Sequence, residues 1–201
     1  MCLSEFELEV LKKIGTEGAS NSAEALSLMM EKKIGMGVPF IKVLPLTKVP
    51  DAMGGAEKVV AGIFLTSEGP APCNILFIFP IESAKALAGH LVECSYAENE
   101  EIDFMGKSAL SEVGNVVSGA YLKSLSDFTE MEFIPSVPAL AIDMAGAVLD
   151  AVLARVGMTD DMAVLMETVF SEIEQNVIGH FFLLPEAGSL DKILEAIGVK
   201  E

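Results

Sequence analysis

Ser108–Asp127, SALSEVGNVVSGAYLKSLSD, reads as one amphipathic helix. At about 100° per residue, Ser108, Glu112, Asn115 and Gly119 fall within an arc of about 60° on one face. Leu110, Val113, Val117, Ala120, Tyr121 and Phe128 gather on the opposite face, as a core-facing side should. Gly114 and Gly119 sit mid-helix, where a glycine costs roughly 1 kcal/mol relative to alanine. Gly119 leaves the polar face flat, so another protein's backbone could come close, whereas Gly114 reads as close packing against a neighbouring element. A stripe of Ser, Glu and Asn beside a bare patch suggests an edge that reaches into a partner. A solvated helix face would accommodate the same residues, since glutamate is common and asparagine tolerated there.

The chain's 201 residues can bury a substantial core, and an apolar share of 51 % with an ordinary charged share indicates a globular protein. A formal charge of −17 argues against nucleic acid, whose phosphates need clustered Lys and Arg, and equally against an anionic membrane surface. Solubility is the simplest reading of that acidity. The opening MCLSEFELEV lacks a basic start and an apolar core, and Asp143, Asp150 and Arg155 interrupt the longest apolar run, Pro135–Val156. Both observations point to the cytoplasm. Cys2, Cys73 and Cys94 have no CxxC spacing and only His90 and His180 could join them, so free thiols are expected rather than a zinc site. The same two histidines lie in unrelated settings and support no Ser/His/Asp triad. The methionines of 28–36 and 158–166 read as core filler.

Ser4–Glu31 reads as a helix with a capping box at Ser4 and Glu7, and its centre, GTEGASNSAEA, is rich in small residues suited to tight packing. Strand-like runs follow at Phe40–Leu44, Val59–Thr66 and Asn74–Phe79, then helical spacing at Glu82–Glu93. Ala97–Asp103, AENEEID, reads as a solvated connector. Beyond the central helix, Glu132–Val137 is strand-like and Asp143–Val156 helical, with Asp143 a candidate N-cap. Ala163–Ile173 and Val177–Leu184 read as strands around a polar EQN turn, and Ser189–Ile197 as a helix ended by Gly198.

The two halves repeat each other. At a constant offset of 99, Leu11, Gly15, Leu26, Ser27, Val38 and Pro39 match Leu110, Gly114, Leu125, Ser126, Val137 and Pro138. FIFP at 77–80 resembles FLLP at 182–185, each closing a strand. The expected architecture is α/β (α+β): two long amphipathic helices and a β-sheet related by pseudo-twofold symmetry. It forms a single domain over 1–201, made of two repeats of about 4–96 and 103–201. Such a duplication is compatible with a monomer, since each half can serve as the other's partner.

In the second half the pattern is Ser108-x3-Glu112-x2-Asn115-x22-Pro138. This resembles the signature of the CheC / CheX / FliY family of response-regulator phosphatases, and the two-copy layout and length resemble the CheC type over essentially the whole chain. In the first half Glu9, Lys13, Thr16 and Pro39 keep the spacing and lose the chemistry. Lys13 reverses the charge of the glutamate and Thr16 replaces the asparagine, so only the second site is expected to be active. The altered face reads as a relic, a packing surface or a binding site for something else.

The resemblance implies a phosphorylated CheY-like regulator as substrate, with Mg²⁺ held in the regulator's own pocket and no cofactor or metal belonging to this chain. Asn115 would orient the attacking water and Glu112 would pair with the regulator's active-site lysine. Ser108 and Gly119 would lie in the substrate contact. Ile142–Asp150, IDMAGAVLD, resembles the helix on which the receptor deamidase CheD docks in CheC proteins, with Asp143 as the contact candidate. A non-catalytic module that regulates CheD is therefore the rival reading. A structural switch component is a third, because FliM-type proteins share the fold, although they lack the Glu-x2-Asn pair.

Overall fold

A side-chain cap at each N-terminus decides where the two long helices begin. The computed structural model describes residues 4–31, 33–38, 40–97, 99–156, 162–171 and 177–198. Cys2, Pro39 and the EQN turn lie outside them. The first helix, α1 (Glu5–Met30), opens on the capping box read from the sequence. Ser4 Oγ accepts from Glu7 N (3.2 Å), and Glu7 Oε2 accepts from Ser4 N (2.5 Å). In chain order there follow β1 (Gly35–Gly37), β2 (Ile41–Pro45), a short α2 (Val49–Ala52), β3 (Val59–Glu68), β4 (Cys73–Pro80) and α3 (Ile81–Val92). The second half comprises α4 (Phe104–Thr129), β5 (Ile134–Pro135), β6 (Ala139–Met144), α5 (Ala145–Val156), β7 (Met162–Ser171), β8 (Val177–Pro185) and α6 (Ser189–Ala196).

All described strands join one antiparallel sheet of order β1-β7-β8-β4-β3-β5, with β2 also on β7 and β6 also on β3. The halves meet at β4–β8. Leu76 faces Phe182 and Phe77 faces Phe181, so the pseudo-twofold relation of FIFP to FLLP runs between these two pairs. Each half also lends its outer strands to the other. β2 of the first half pairs with β7 from Ile41↔Met166 to Pro45↔Met162, and β6 of the second half pairs with β3 from Val59↔Met144 to Phe64↔Ala139.

The central strands read as unbroken apolar runs because both faces of the sheet are covered. One core holds Ile63, Phe77, Phe79, Phe170 and Phe181 of the sheet with Leu11, Ile14 and Leu26 of α1 and Leu110, Val113 and Val117 of α4. The other packs Val60, Phe64, Leu76, Ile78 and Phe182 against Val148, Leu149 and Val152 of α5. Each large side chain so buried contributes about 1.5–3 kcal/mol. Tyr121 of α4 stacks on Phe181 with ring centroids 4.1 Å apart, which seats the helix over the junction of the halves.

Three local expectations differ from the structure. The strand expected over 132–137 is reduced to Ile134–Pro135, and the main ladder starts after Pro138, at Ala139, because prolines 135 and 138 bring no N–H to a sheet. Asp143 is a residue of β6 and not a helix cap. Helix α5 starts at Ala145, whose N–H reaches Lys58 O (2.8 Å) while Gly146 N reaches Ala56 O (2.9 Å), so a passing backbone stands in for a capping side chain. Asp103, read as part of a connector, is the N-cap of α4. Of the thiols, Cys94 is exposed and Cys73 is buried; burial, with the Glu186 carboxylate second, pushes Cys73 up to about 12.

Gly114 sits where any Cβ would run into the Ile63 side chain. Its counterpart Gly15 faces the Met166 sulfur, 2.6 Å from an ideal Cβ, but a thioether swings aside more readily than a β-branched side chain. We expect Gly114→Val to destabilise the fold by about 1–3 kcal/mol and Gly15→Val by less. Urea titration of the two variants measures the difference.

Candidate functional site

Helix α4 carries the motif, and its start is fixed by Asp103. The carboxylate Oδ1 accepts from Gly106 N and from the Tyr96 hydroxyl, each at 2.8 Å. These bonds, that from Gly106 first, hold the Asp103 carboxyl below the usual carboxylate range. At the other end Glu130, in the left-handed region at φ 55°, closes the helix with its N–H on Ser126 O (2.8 Å). A helix fixed at both ends holds its side chains in a constant array.

Along that array Ser108, Glu112 and Asn115 are exposed, and none of the three side chains makes a hydrogen bond within the described part of the chain. Apart from the adjoining turns of its own helix, no heavy atom lies within 4 Å of a Cβ built on Gly119, so the polar stripe ends in open space. Opposite it, Leu110, Val113, Val117 and Tyr121 are buried, while Ala120 and Phe128 are half-buried. The helix begins four residues before the stretch read from the sequence. That extra turn brings two exposed apolar residues, Phe104 and Met105, onto the site's own side. Asp103, three residues before the N–H it accepts from, was the signal that could have found them.

Helix α1 lies antiparallel beside α4 in contact through small residues. A Cβ on Gly18 would stand 2.9 Å from Tyr121 Cδ1, and Asn21 Nδ2 donates to Ser124 Oγ (3.1 Å). Glu9, Lys13 and Thr16, the first-half equivalents of the motif, are exposed too, but the side chains of Lys13 and Thr16 are engaged within the protein. The Lys13 ammonium lies 5.5 Å from the centroid of the Phe128 ring, and the Thr16 hydroxyl donates back to Lys12 O (2.8 Å). The two copies therefore differ in both chemistry and partners.

Pro138 is half-buried at the entry to β6, just past the point where Ser136 N reaches Thr66 O (2.8 Å) and Thr66 N reaches Ser136 Oγ (3.0 Å). Asp143 is exposed and accepts from Met144 N through its own Oδ1 (2.7 Å), on β6 and apart from the helical stripe. His180 is buried within β8, where loss of hydration lowers its pKa to about 4. Among the described residues no group of three or more His, Cys, Asp and Glu is placed to hold a metal ion, and no helix is long and apolar enough to cross a membrane.

The fold is thus a mixed α/β one, a pair of long helices on an antiparallel sheet, and one of the two helices presents an exposed carboxylate and an exposed amide one turn apart. The particular family follows from three comparisons. A model of the CheC-like family matches residues 105–142, the segment from the first turn of α4 to β6. The CheY-P phosphatase CheC of Bacillus subtilis (strain 168) is 34 % identical over 200 residues, 98 % of this chain and 96 % of that protein. The chain belongs to the CheC-like family. In fold it is similar to Thermotoga maritima FliY (TM-score 0.74, 19 % identity, all of both chains covered). It is also similar to a chain of the CheX-CheY-BeF3-Mg²⁺ complex of Borrelia burgdorferi (TM-score 0.53, 18 % identity, 87 % of this chain and 96 % of that one). The middle domain of Helicobacter pylori FliM shares the fold as well (TM-score 0.71, 12 % identity, 96 % of this chain and 99 % of that one).

The cap gives a pH prediction. The folded-state pKa of Asp103 is depressed, so its contribution to stability is present above the unfolded carboxylate range and is lost as pH falls through the folded value. Asp103→Ala should melt below the unaltered protein at neutral pH, and the gap should close in strong acid. Thermal melts of both proteins across the acid range check this.

Proposed function

We propose that this chain hydrolyses the acyl phosphate of a phosphorylated CheY-like response regulator, through one site built on Glu112 and Asn115. The observation that carries this reading is the exposed carboxylate and amide, one turn apart on a doubly fixed helix and without hydrogen-bond partners among the described residues. The relationship to a CheY-P phosphatase over the whole chain supports it.

The regulator brings the phosphoaspartate, the lysine and the Mg²⁺; what it lacks is a water held in line. Asn115 supplies that position. Its amide accepts from and donates to the water without ionising. The water oxygen bonds to phosphorus as the bond from phosphorus to the aspartyl oxygen breaks, leaving inorganic phosphate and a free carboxylate. Glu112 pairs with the regulator's lysine and sets how deep the helix enters. Ser108 borders the contact, and Gly119 lets the regulator's backbone approach. The first-half copy is inactive in this reading, because Lys13 sits over Phe128 and the Thr16 hydroxyl is taken up by its own helix.

Decay of a phosphorylated CheY in Mg²⁺ tests this. Asn115→Ala should lose acceleration by about 100-fold. Glu112→Lys should weaken regulator binding by about tenfold or more. Thr16→Asn should change neither. Equal turnover by Asn115→Ala would overturn the assignment.

A second reading has its own observation. Asp143 and Met144 are both exposed where β6 runs into α5, a surface separate from the stripe and available to a partner such as CheD. A module of that kind would bind CheD equally well with Asn115→Ala and lose it with Asp143→Arg.

A further inference from the structure

The face that carries Glu112 and Asn115 continues beyond them as an apolar surface. On the wheel of α4, Phe104 lies about 40° to one side of Ser108 and Met105 about 60° to the other, so the two straddle the stripe one turn before it. Phe104 is 81 % exposed and Met105 62 %. The antiparallel register set by Gly18 against Tyr121, Asn21 on Ser124 and Lys13 over Phe128 runs the last turn of α1 alongside the turn of α4 that holds Glu112. That last turn carries Leu28, 76 % exposed, and Met29, 42 % exposed. Large apolar side chains thus border the stripe from two helices.

Solvation does not account for this pattern. A helix N-terminus favours acidic residues, and α1 places Glu5 and Glu7 in its first turn. In α4 that preference is met by the cap, Asp103, and the first turn itself carries no acidic residue, although the chain has a net charge of −17. Phe and Met stand at exposed positions there. Exposed apolar residues beside a small polar centre are the composition of a docking surface, in which the apolar groups supply affinity and exclude water from the polar pair. Phe104 and Met105 lie about 15–17 Å along the helix from Asn115 on the same side, within the footprint of a globular partner that docks over the stripe.

We infer that Phe104 and Met105, with Leu28 and Met29 across the helix pair, form the docking surface that selects the regulator. Their partner is the apolar rim of the phosphorylated regulator around its phosphoaspartate pocket. This rests on the phosphatase reading above and deepens it: the polar pair performs the hydrolysis, and the apolar residues decide which regulator is held there. The unbranched, polarisable methionines suit a rim whose shape differs from one regulator to another. Phe6, 60 % exposed at the place equivalent to Met105, lies on the altered copy and takes no part.

The test uses the full chain and a CheY loaded with beryllofluoride and Mg²⁺, followed by decay of the phosphorylated form. The double variant Phe104→Ser/Met105→Ser should raise Kd and KM by about tenfold or more while kcat stays within about twofold. Leu28→Ser should move both constants in the same direction, and Phe6→Ser neither. Asn115→Ala should do the reverse of the double variant, losing kcat and keeping Kd. Since these side chains lie on the surface, melting temperature should hardly change. Unaltered Kd and KM in the double variant, beside normal turnover by the unaltered protein, would overturn the docking surface and leave the phosphatase reading in place. An unaltered protein that neither binds nor accelerates decay would overturn both.

Discussion

Everything in this molecule hangs on the pairing of β4 with β8. It is the one seam between the halves in the middle of the sheet, from Cys73↔Pro185 to Ile78↔His180, and it is lined on both faces by fully buried side chains such as Phe77, Phe181, Leu76 and Phe182. Tyr121 rests on Phe181, so the position of α4 is set from this seam. Small residues then bring α1 to α4: Gly18 admits the Tyr121 ring and backbone, and Ser22 turns its hydroxyl inward onto Gly18 O (2.6 Å). The outward stripe of α4 is in this sense the far end of a chain of contacts that begins with an aromatic pair in the sheet.

Symmetry supplies two such stripes, and a few side chains separate them. In α4 the carboxylate and amide have no hydrogen-bond partners among the described residues. In α1 the corresponding ammonium is drawn onto Phe128 and the hydroxyl onto the preceding turn. The backbone frame is the same, with Gly15 on Met166 and Gly114 on Ile63 at equivalent points of β7 and β3. A duplicated scaffold can keep its packing while one of its two faces changes chemistry, because the packing residues and the outward residues occupy opposite sides of each helix.

Local physics made much of this legible. Helical periodicity exposed the stripe of Ser108, Glu112 and Asn115, and the Ser4/Glu7 capping box marked the start of α1 because both of its bonds are short-range. Local physics also explains the misses. Asp103 was hidden in an acidic run, where one capping carboxylate looks like its solvated neighbours. Asp143 looked like a cap because a capping side chain was assumed, while the N–H groups of α5 are met by backbone at 56 and 58, almost ninety residues away in sequence. The exchange of outer strands had no local signal at all: nothing in IKVLP announces that its partner is VLM at 164–166.

That exchange bears on how the chain comes into being. Ile41 must wait for Met166 to be synthesised before β2 has anything to pair with. At about 5–20 residues per second the delay is roughly 6–25 s. Until β6 and β8 emerge, β3 and β4 form at best a bare hairpin, one edge awaiting β6 and the other β8. These are apolar edges, and the window favours whatever shields them. The nascent protein is therefore most exposed to mispairing before its second half exists, and α4 takes its final seat only as β8 closes the sheet.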